Sequence, residues 1–257
     1  GVRIFERTPV TGMAREGGGI LARTPHGGIR ADRVLLATNA YPPLLRRLRR
    51  RILPVYDHVL VTEPLSSSAL SSVGWSEGQG LTDLGNQFHY YRRTPDDRIL
   101  WGGYDAIYYF GSRTDAAREQ RDASHALLAR QFFDTFPQLE GLRFTHRWAG
   151  LIDSTSRFTP VFGTAMDGRL AYSVGYTGLG VAMSRFGARV ALDLVHGDDT
   201  ERTRLTMVRR RPIPFPPEPL RYAAVQGTRA SLAREDETGH RNAWLRLLDG
   251  FGVGFNS

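Results

Sequence analysis

The sequence contains no cysteine and no lysine. Without cysteine there is no disulfide, no thiolate metal ligand, no cysteine nucleophile and no flavin tethered through sulfur. Without lysine there is no protein Schiff base, which removes pyridoxal-phosphate chemistry built on one. No run approaches the roughly eighteen apolar residues of a membrane-spanning helix, and the first residues lack the basic-then-apolar plan of a secretory signal. The expectation is a soluble, cytoplasmic protein with no membrane partner. The 7 histidines are scattered without the spacing of a zinc-binding helix, so no metal is expected.

What is present is a chain of 257 residues, 41% hydrophobic, long enough to bury a full core. All 34 basic residues are arginine, and the formal net charge is +8. Such a balance suits nucleic acid or an anionic surface, and Arg46, Arg47, Arg49, Arg50 and Arg51 form a run suited to phosphates. The arginines are nevertheless spread along the whole chain, with no interleaved aromatic platform and no zinc-finger spacing. Nucleic acid is therefore not expected as a partner.

Residues 1–10 read as a strand. Glycine turns at 17–19 and 26–28 separate further short strands, and the apolar run 34–38 reads as a buried strand stopped by Asn39-Ala40-Tyr41-Pro42-Pro43. Runs at 52–55, 58–62, 88–92 and 99–102 are β-branched or aromatic and imply antiparallel sheet. The last two flank Thr94-Pro95-Asp96-Asp97, a turn sequence that makes them a hairpin. Thr114 and Asp115 offer a cap for a helix over 116–135, where Leu128, Phe132 and Phe136 fall on one face and Pro137 is the stop. Strand-like stretches at 143–148 and 169–174 precede a glycine cluster and a helix that closes at Gly197. A proline-rich connector, 212–217, leads to an arginine-rich tail with one amphipathic segment at 243–248.

The segment richest in chemistry is Gly175-Tyr176-Thr177-Gly178-Leu179-Gly180-Val181, between an expected strand and an expected helix. Glycines there let backbone approach a ligand closely, and a helix N-terminus offers free N–H groups and partial positive charge. It is not the dinucleotide fingerprint, because Met183 stands where the third glycine belongs. Close packing and ligand binding both suit such a turn.

Five motifs occur in one order: Val34-Leu35-Leu36-Ala37-Thr38-Asn39-Ala40-Tyr41, Phe88-His89-Tyr90-Tyr91-Arg92, Trp148-Ala149-Gly150, Arg157-Phe158-Thr159-Pro160-Val161-Phe162-Gly163 and the glycine turn. That order resembles the flavoenzymes of the D-amino-acid-oxidase family, most of all the γ-glutamylputrescine oxidoreductase-like group, which shares the Ala-Thr-Asn-Ala-Tyr stop and the glycine turn. The resemblance implies an α/β protein, α+β in this portion, with FAD as cofactor and a small-molecule amine as substrate. An incomplete FAD-binding domain would be formed by 1–41 and 146–200, an antiparallel-sheet substrate domain by 52–145, and a proline- and arginine-rich C-terminal extension by 201–257. The strand, glycine-rich turn and helix for the ADP half of FAD would precede Gly1, so the chain is expected to be N-terminally incomplete.

The resemblance places Val10 near the adenine, Thr38 and Asn39 near the pyrophosphate, and Gly178, Leu179, Gly180 and Val181 against the pyrimidine edge of the flavin. Gly150, Gly175 and Thr177 complete the cofactor set, and a side chain at Gly180 is expected to block the approach. The implied reaction oxidises an amine C–N bond to an imine. On the strand 88–92, alternation puts His89 and Tyr91 on one face and Phe88 and Tyr90 on the other, and either pair is open to a substrate. The catalytic candidates are His89 as a base, Tyr91 and Trp148 as apolar walls, and Arg157 as partner of a substrate carboxylate. A structural strand histidine and a surface arginine are the alternatives for His89 and Arg157. The rival readings are a non-catalytic remnant or binding module without FAD, and an arginine-rich nucleic-acid binder.

Overall fold

The strand Leu170–Val174 is buried along its whole length, and it organises the first of two units in the computed structural model, which describes residues 1–254. In chain order the strands are β1 (Gly12–Glu16), β2 (Gly19–Thr24), β3 (Gly27–Ala31), β4 (Val34–Leu36), β5 (Leu53–Thr62), β6 (Leu81–Thr82), β7 (His89–Arg93), β8 (Ile99–Gly103), β9 (Phe144–Ser154), β10 (Val161–Ala165) and β11 (Leu170–Val174). The helices are α1 (Ser67–Val73), α2 (Asp122–Thr135), α3 (Gly180–His196), α4 (Glu201–Arg204), α5 (Thr206–Arg209), α6 (Leu220–Thr238) and α7 (Ala243–Gly250). No helix among the described residues is long and apolar enough to cross a membrane.

The first unit comprises Gly1–Leu53, Asp153–Phe215 and the described residues from Gly252. A sheet of order β10-β11-β4 lies at its centre, and the parallel pairing of β11 with β4 joins two segments far apart in sequence. Alternation along β11 serves two layers. Leu170, Tyr172 and Val174 pack with Ile20 of the β1-β2-β3 meander, while Ala171 packs with Ala191 and Val195 of α3. Gly197 closes α3 in the left-handed conformation, its φ being 81°. The arginine run is used internally: Arg50 and Arg51 donate to the carbonyls of Phe215 and Pro212, and Arg47 donates to that of Thr164 while lying over the Tyr172 ring.

Residues 1–10 are not a strand. Their apolar side chains, Val2, Ile4 and Phe5, are exposed, and no strand among the described residues pairs with them. β-Propensity without a pairing partner and a face to bury does not hold a strand.

The second unit comprises Pro54–Ile152 and Pro216–Phe251. Its sheet has the order β6-β7-β8-β5-β9, and β7 and β8 form the expected hairpin, with Arg93 opposite Ile99. One sheet face packs under α2: Leu60, Ile99 and Trp101 meet Leu128 and Phe132, all nearly or wholly inaccessible. Helix α2 starts later than the sequence implies, since 116–119 form a short 3-10 turn and Arg121 is extended before Asp122. The apolar stripe begins only at Leu128, so nothing apolar pins the preceding polar residues into the helix.

Helix α6 lies in the region expected to be a proline- and arginine-rich extension. It has no continuous apolar stripe, and its buried residue is Arg221. Polar anchors hold it: Asp236 accepts from the amides of Asn86 and Gln87 at 2.8 Å each, Arg221 donates to Ser112 at 2.9 Å, and Arg229 pairs with Asp105. Residues 201–215 accordingly belong to the first unit and 216–251 to the second.

Where α2 meets β5 lies a pair of imidazoles, His125 of the helix and His58 of the strand. His58 is wholly buried and both its ring nitrogens lack partners, while the Nδ1 of His125 is likewise unpartnered. The two rings meet edge-on at 5.1 Å. Burial, reinforced by the neighbouring His125 and opposed by Asp105, pulls His58 down to about 4.

Candidate functional site

The glycine turn of the first unit is built from three left-handed residues in four: Gly175 (φ 85°), Thr177 (φ 51°) and Gly178 (φ 86°). Gly175 is obligatory on two counts, because a Cβ there would collide with the Thr155 methyl and crowd Ile52 Cδ1 at 3.1 Å. The turn hangs on Asp153 at the end of β9. Its carboxylate accepts from the amides of Gly175 and Tyr176, the latter at 3.0 Å, and its backbone carbonyl accepts from the Thr177 amide at 3.1 Å. Thr177 Oγ1 in turn accepts from the Thr155 amide at 3.2 Å. Asp153 is 2% exposed, and burial raises its carboxyl above the usual range despite the two amides that favour the anion.

Helix α3 leaves this turn at Gly180. Gly187 lets it sit close, since a Cβ at that position would strike the Tyr176 and Ser173 hydroxyls, which bond to each other. Leu179 supplies no side-chain cap and no acidic residue lies in the first turn. The first-turn amides, which a helix cannot satisfy itself, and the positive end of the dipole are therefore left for something else. Leu179 and Val181 are 53% and 99% exposed. A Cβ on Gly180 would have Tyr176 Cβ at 3.8 Å as its neighbour, an ordinary contact. The glycine at 180 is thus not needed for packing within the chain.

Two buried polar groups in the same unit have no partner in the described structure. The Thr38 hydroxyl, just past β4, is one. Arg157 is the other: it is 7% exposed rather than on the surface, and its Nε and Nη1 are unpartnered. Burial and the nearby Arg210 charge lower its pKa. Val10 is 37% exposed in the segment before β1, and Asn39 is left-handed with φ 49°.

The second-unit candidates separate by sheet face. His89 and Tyr91 sit on the α2 side. The His89 ring stacks on Trp101 at 4.4 Å and Tyr104 at 5.2 Å, and its nitrogens are taken by Asp83 at 2.6 Å and Gln131 at 3.1 Å. Tyr91 packs against Trp75, Trp101 and Phe136. Both are pieces of the aromatic core, because the helix takes the face on which they stand, and the expected base and wall roles do not fit them. Tyr90 stands on the other face. Trp148 is 38% exposed and its carbonyl lies 3.4 Å from His125 Nε2. Gly150 is exposed with open space around it. Among the described residues no His, Asp or Glu cluster is suited to a metal.

Asp153, Thr155 and Gly187 were not singled out by the sequence reading. Asp153 lies 22 residues before Gly175, and an acidic residue near a strand end carries no signal that it will turn inward.

Comparison with known proteins gives a consistent picture. The family model described as FAD dependent oxidoreductase (DAO) matches residues 1–194. A probable oxidoreductase, OrdL, of Haemophilus influenzae is 33% identical over 204 residues, which are 77% of this chain and 44% of that protein. The gamma-glutamylputrescine oxidoreductase of Escherichia coli is 31% identical over 200 residues, with the same two coverages. Among solved structures, L-proline dehydrogenase from P. horikoshii superposes with a TM-score of 0.61 at 22% identity, covering 76% of this chain and 51% of that one. The chain thus spans under half the length of those two curated relatives.

Proposed function

Given that the chain belongs to the FAD-dependent oxidoreductase family of the DAO type, we propose that it serves oxidation of the C–N bond of an amine or amino acid to an imine. The observation that carries this reading is the uncapped start of α3, set on a turn that Asp153 and Gly175 hold rigid. When bound, FAD supplies the acceptor for the hydride that leaves the amine carbon.

The residues of this chain fit such a group. Amides of Gly178, Gly180 and Val181 and the α3 dipole favour negative charge on the ring edge they face, the Leu179 amide being held by the Tyr176 carbonyl. The unpartnered Thr38 hydroxyl is a donor of the kind a pyrophosphate oxygen uses, with Asn39 beside it and Val10 assigned to the adenine. Gly175 and Thr177 set the backbone conformation that presents these amides. Gly150 keeps its place as a cofactor candidate. The first unit is accordingly proposed as the cofactor-binding part and the second as the substrate-binding part. Arg157 offers a desolvated cation for a substrate carboxylate, and Trp148 an apolar wall.

The test is to load the protein with FAD without oxygen and add primary amines, amino acids and matched alcohols. Bleaching of the flavin's visible absorbance by amines alone is expected. A flavin that binds but is reduced by no amine or amino acid contradicts the C–N reading, and a chain that binds no flavin favours the remnant reading.

A further inference from the structure

The sheet of the second unit has a face that α2 does not cover, and a carboxyl group is built into it. Asp57 of β5 and Tyr90 of β7 meet there across the intervening strand β8. The Tyr90 hydroxyl donates to Asp57 Oδ2 at 2.6 Å. It reaches because the residue beneath the ring is Gly102, where a Cβ would stand 2.7 Å from the phenol oxygen and 2.8 Å from Cζ. The amide of Gly103, held at φ 104°, gives the carboxylate a second donor.

Two donors leave acceptor capacity unused on a carboxylate, which has about four lone-pair sites. Asp57 is half-buried, Val59 beside it on the same face is 5% exposed, and no cation among the described residues contributes to its electrostatics. An anion in that setting, fixed in orientation and lacking a counter-charge, is matched by a compact cationic donor.

We propose that Asp57, oriented by Tyr90, is a subsite for an alkylammonium group of the substrate, namely the ammonium remote from the carbon that is oxidised. The assignment rests on the amine-oxidising reading given above. The remote nitrogen is specified by chemistry: a carboxylate stabilises the protonated amine it binds, whereas the nitrogen at the reacting carbon must lose its proton before hydride can leave. Asp57 therefore selects substrates with two cationic nitrogens, or a cationic tail, over simple monoamines.

Protonation of Asp57 switches the subsite off. Burial outweighs the Tyr90 and Gly103 hydrogen bonds and holds this carboxyl up at about 6. Tyr90 is the titratable group that faces it, Arg92 follows on the same face of β7, and His58 points to the α2 side.

The test uses the full chain without cofactor, titrated with butylammonium and, as a neutral isostere, butanol, and followed through the amide shifts of Gly102 and Gly103. Saturable shifts with butylammonium alone are expected at about pH 8, with affinity about tenfold weaker near pH 5, where about a tenth of a carboxyl of this acidity is ionised. Asp57→Asn should abolish them. Tyr90→Phe removes a donor that favours the anion, so the midpoint of the pH dependence should move upward. Equal responses to both probes, an Asn variant that binds like wild type, or an unmoved midpoint would each overturn the subsite. In FAD-loaded protein, Asp57→Asn should raise KM for a diamine with kcat unchanged. If no amine reduces the flavin while the ammonium titration succeeds, the reaction reading fails and takes with it the assignment to a substrate's remote nitrogen, while ammonium binding at Asp57 stands.

Discussion

Gly175→Val should destabilise the first unit by about 3 kcal/mol or more, combining a β-branched residue at positive φ with overpacking in a filled space. The new side chain has nowhere to go, since Thr155, Ile52 and Val161 already meet at the position its Cβ would take. Gly180→Val serves as the control, with a cost of about 1 kcal/mol or less for a side chain in open space. Because the 4 tryptophans at 75, 101, 148 and 244 all lie in the second unit, the readout should be amide hydrogen exchange in β10 and β11 across a urea series. A Gly175 variant within about 1 kcal/mol of wild type would mean that the turn is not held as described.

The second large effect is acid sensitivity of the second unit. Burial holds His58 at about 4 in the folded protein against an ordinary histidine value of 6.5, so the folded state binds fewer protons than the unfolded chain in that interval. Its contribution to stability is complete above the unfolded value and is lost as pH falls from 6.5 toward 4, a loss of about 3 kcal/mol at full extent. Lowered basicity of His125, also from burial, acts in the same direction. Urea unfolding followed by tryptophan fluorescence should show this loss, and His58→Leu should flatten it. The leucine variant should also be no less stable near neutrality, because it replaces a buried ring whose nitrogens have no partners. A wild type and a leucine variant with parallel acid profiles would remove His58 as the cause.

Local chemistry and periodicity made much of this fold readable before the structure. The meander was announced by its glycine turns, the hairpin by Thr94 to Asp97, α2 by its apolar face of Leu128 and Phe132, and the end of α3 by Gly197. Helix α6 was not readable, because periodicity detects apolar stripes and this helix is held by ion pairs and amide–carboxylate bonds. The same blindness hid Asp153 and Asp57, acidic strand residues whose partners come from elsewhere in the chain. For His89 and Tyr91, alternation separated the two faces of β7 correctly. Which face a helix covers is decided by where Leu128 and Phe132 land, and that is a tertiary fact. The resemblance to flavoenzymes drew attention to the glycine turn, while the structure moved the steric requirement from Gly180 to Gly175.

The central claim is that the uncapped start of α3 faces FAD, and it is tested most directly by titrating the isotopically labelled chain with FAD and following its amide resonances. Saturable shifts concentrated at Gly178, Gly180 and Val181 are predicted, with Gly180→Val weakening them at least tenfold (about 1.4 kcal/mol) while leaving the β10 and β11 resonances in place. Shifts absent from these amides, or of equal affinity in the valine variant, would contradict the assignment of this turn to the cofactor.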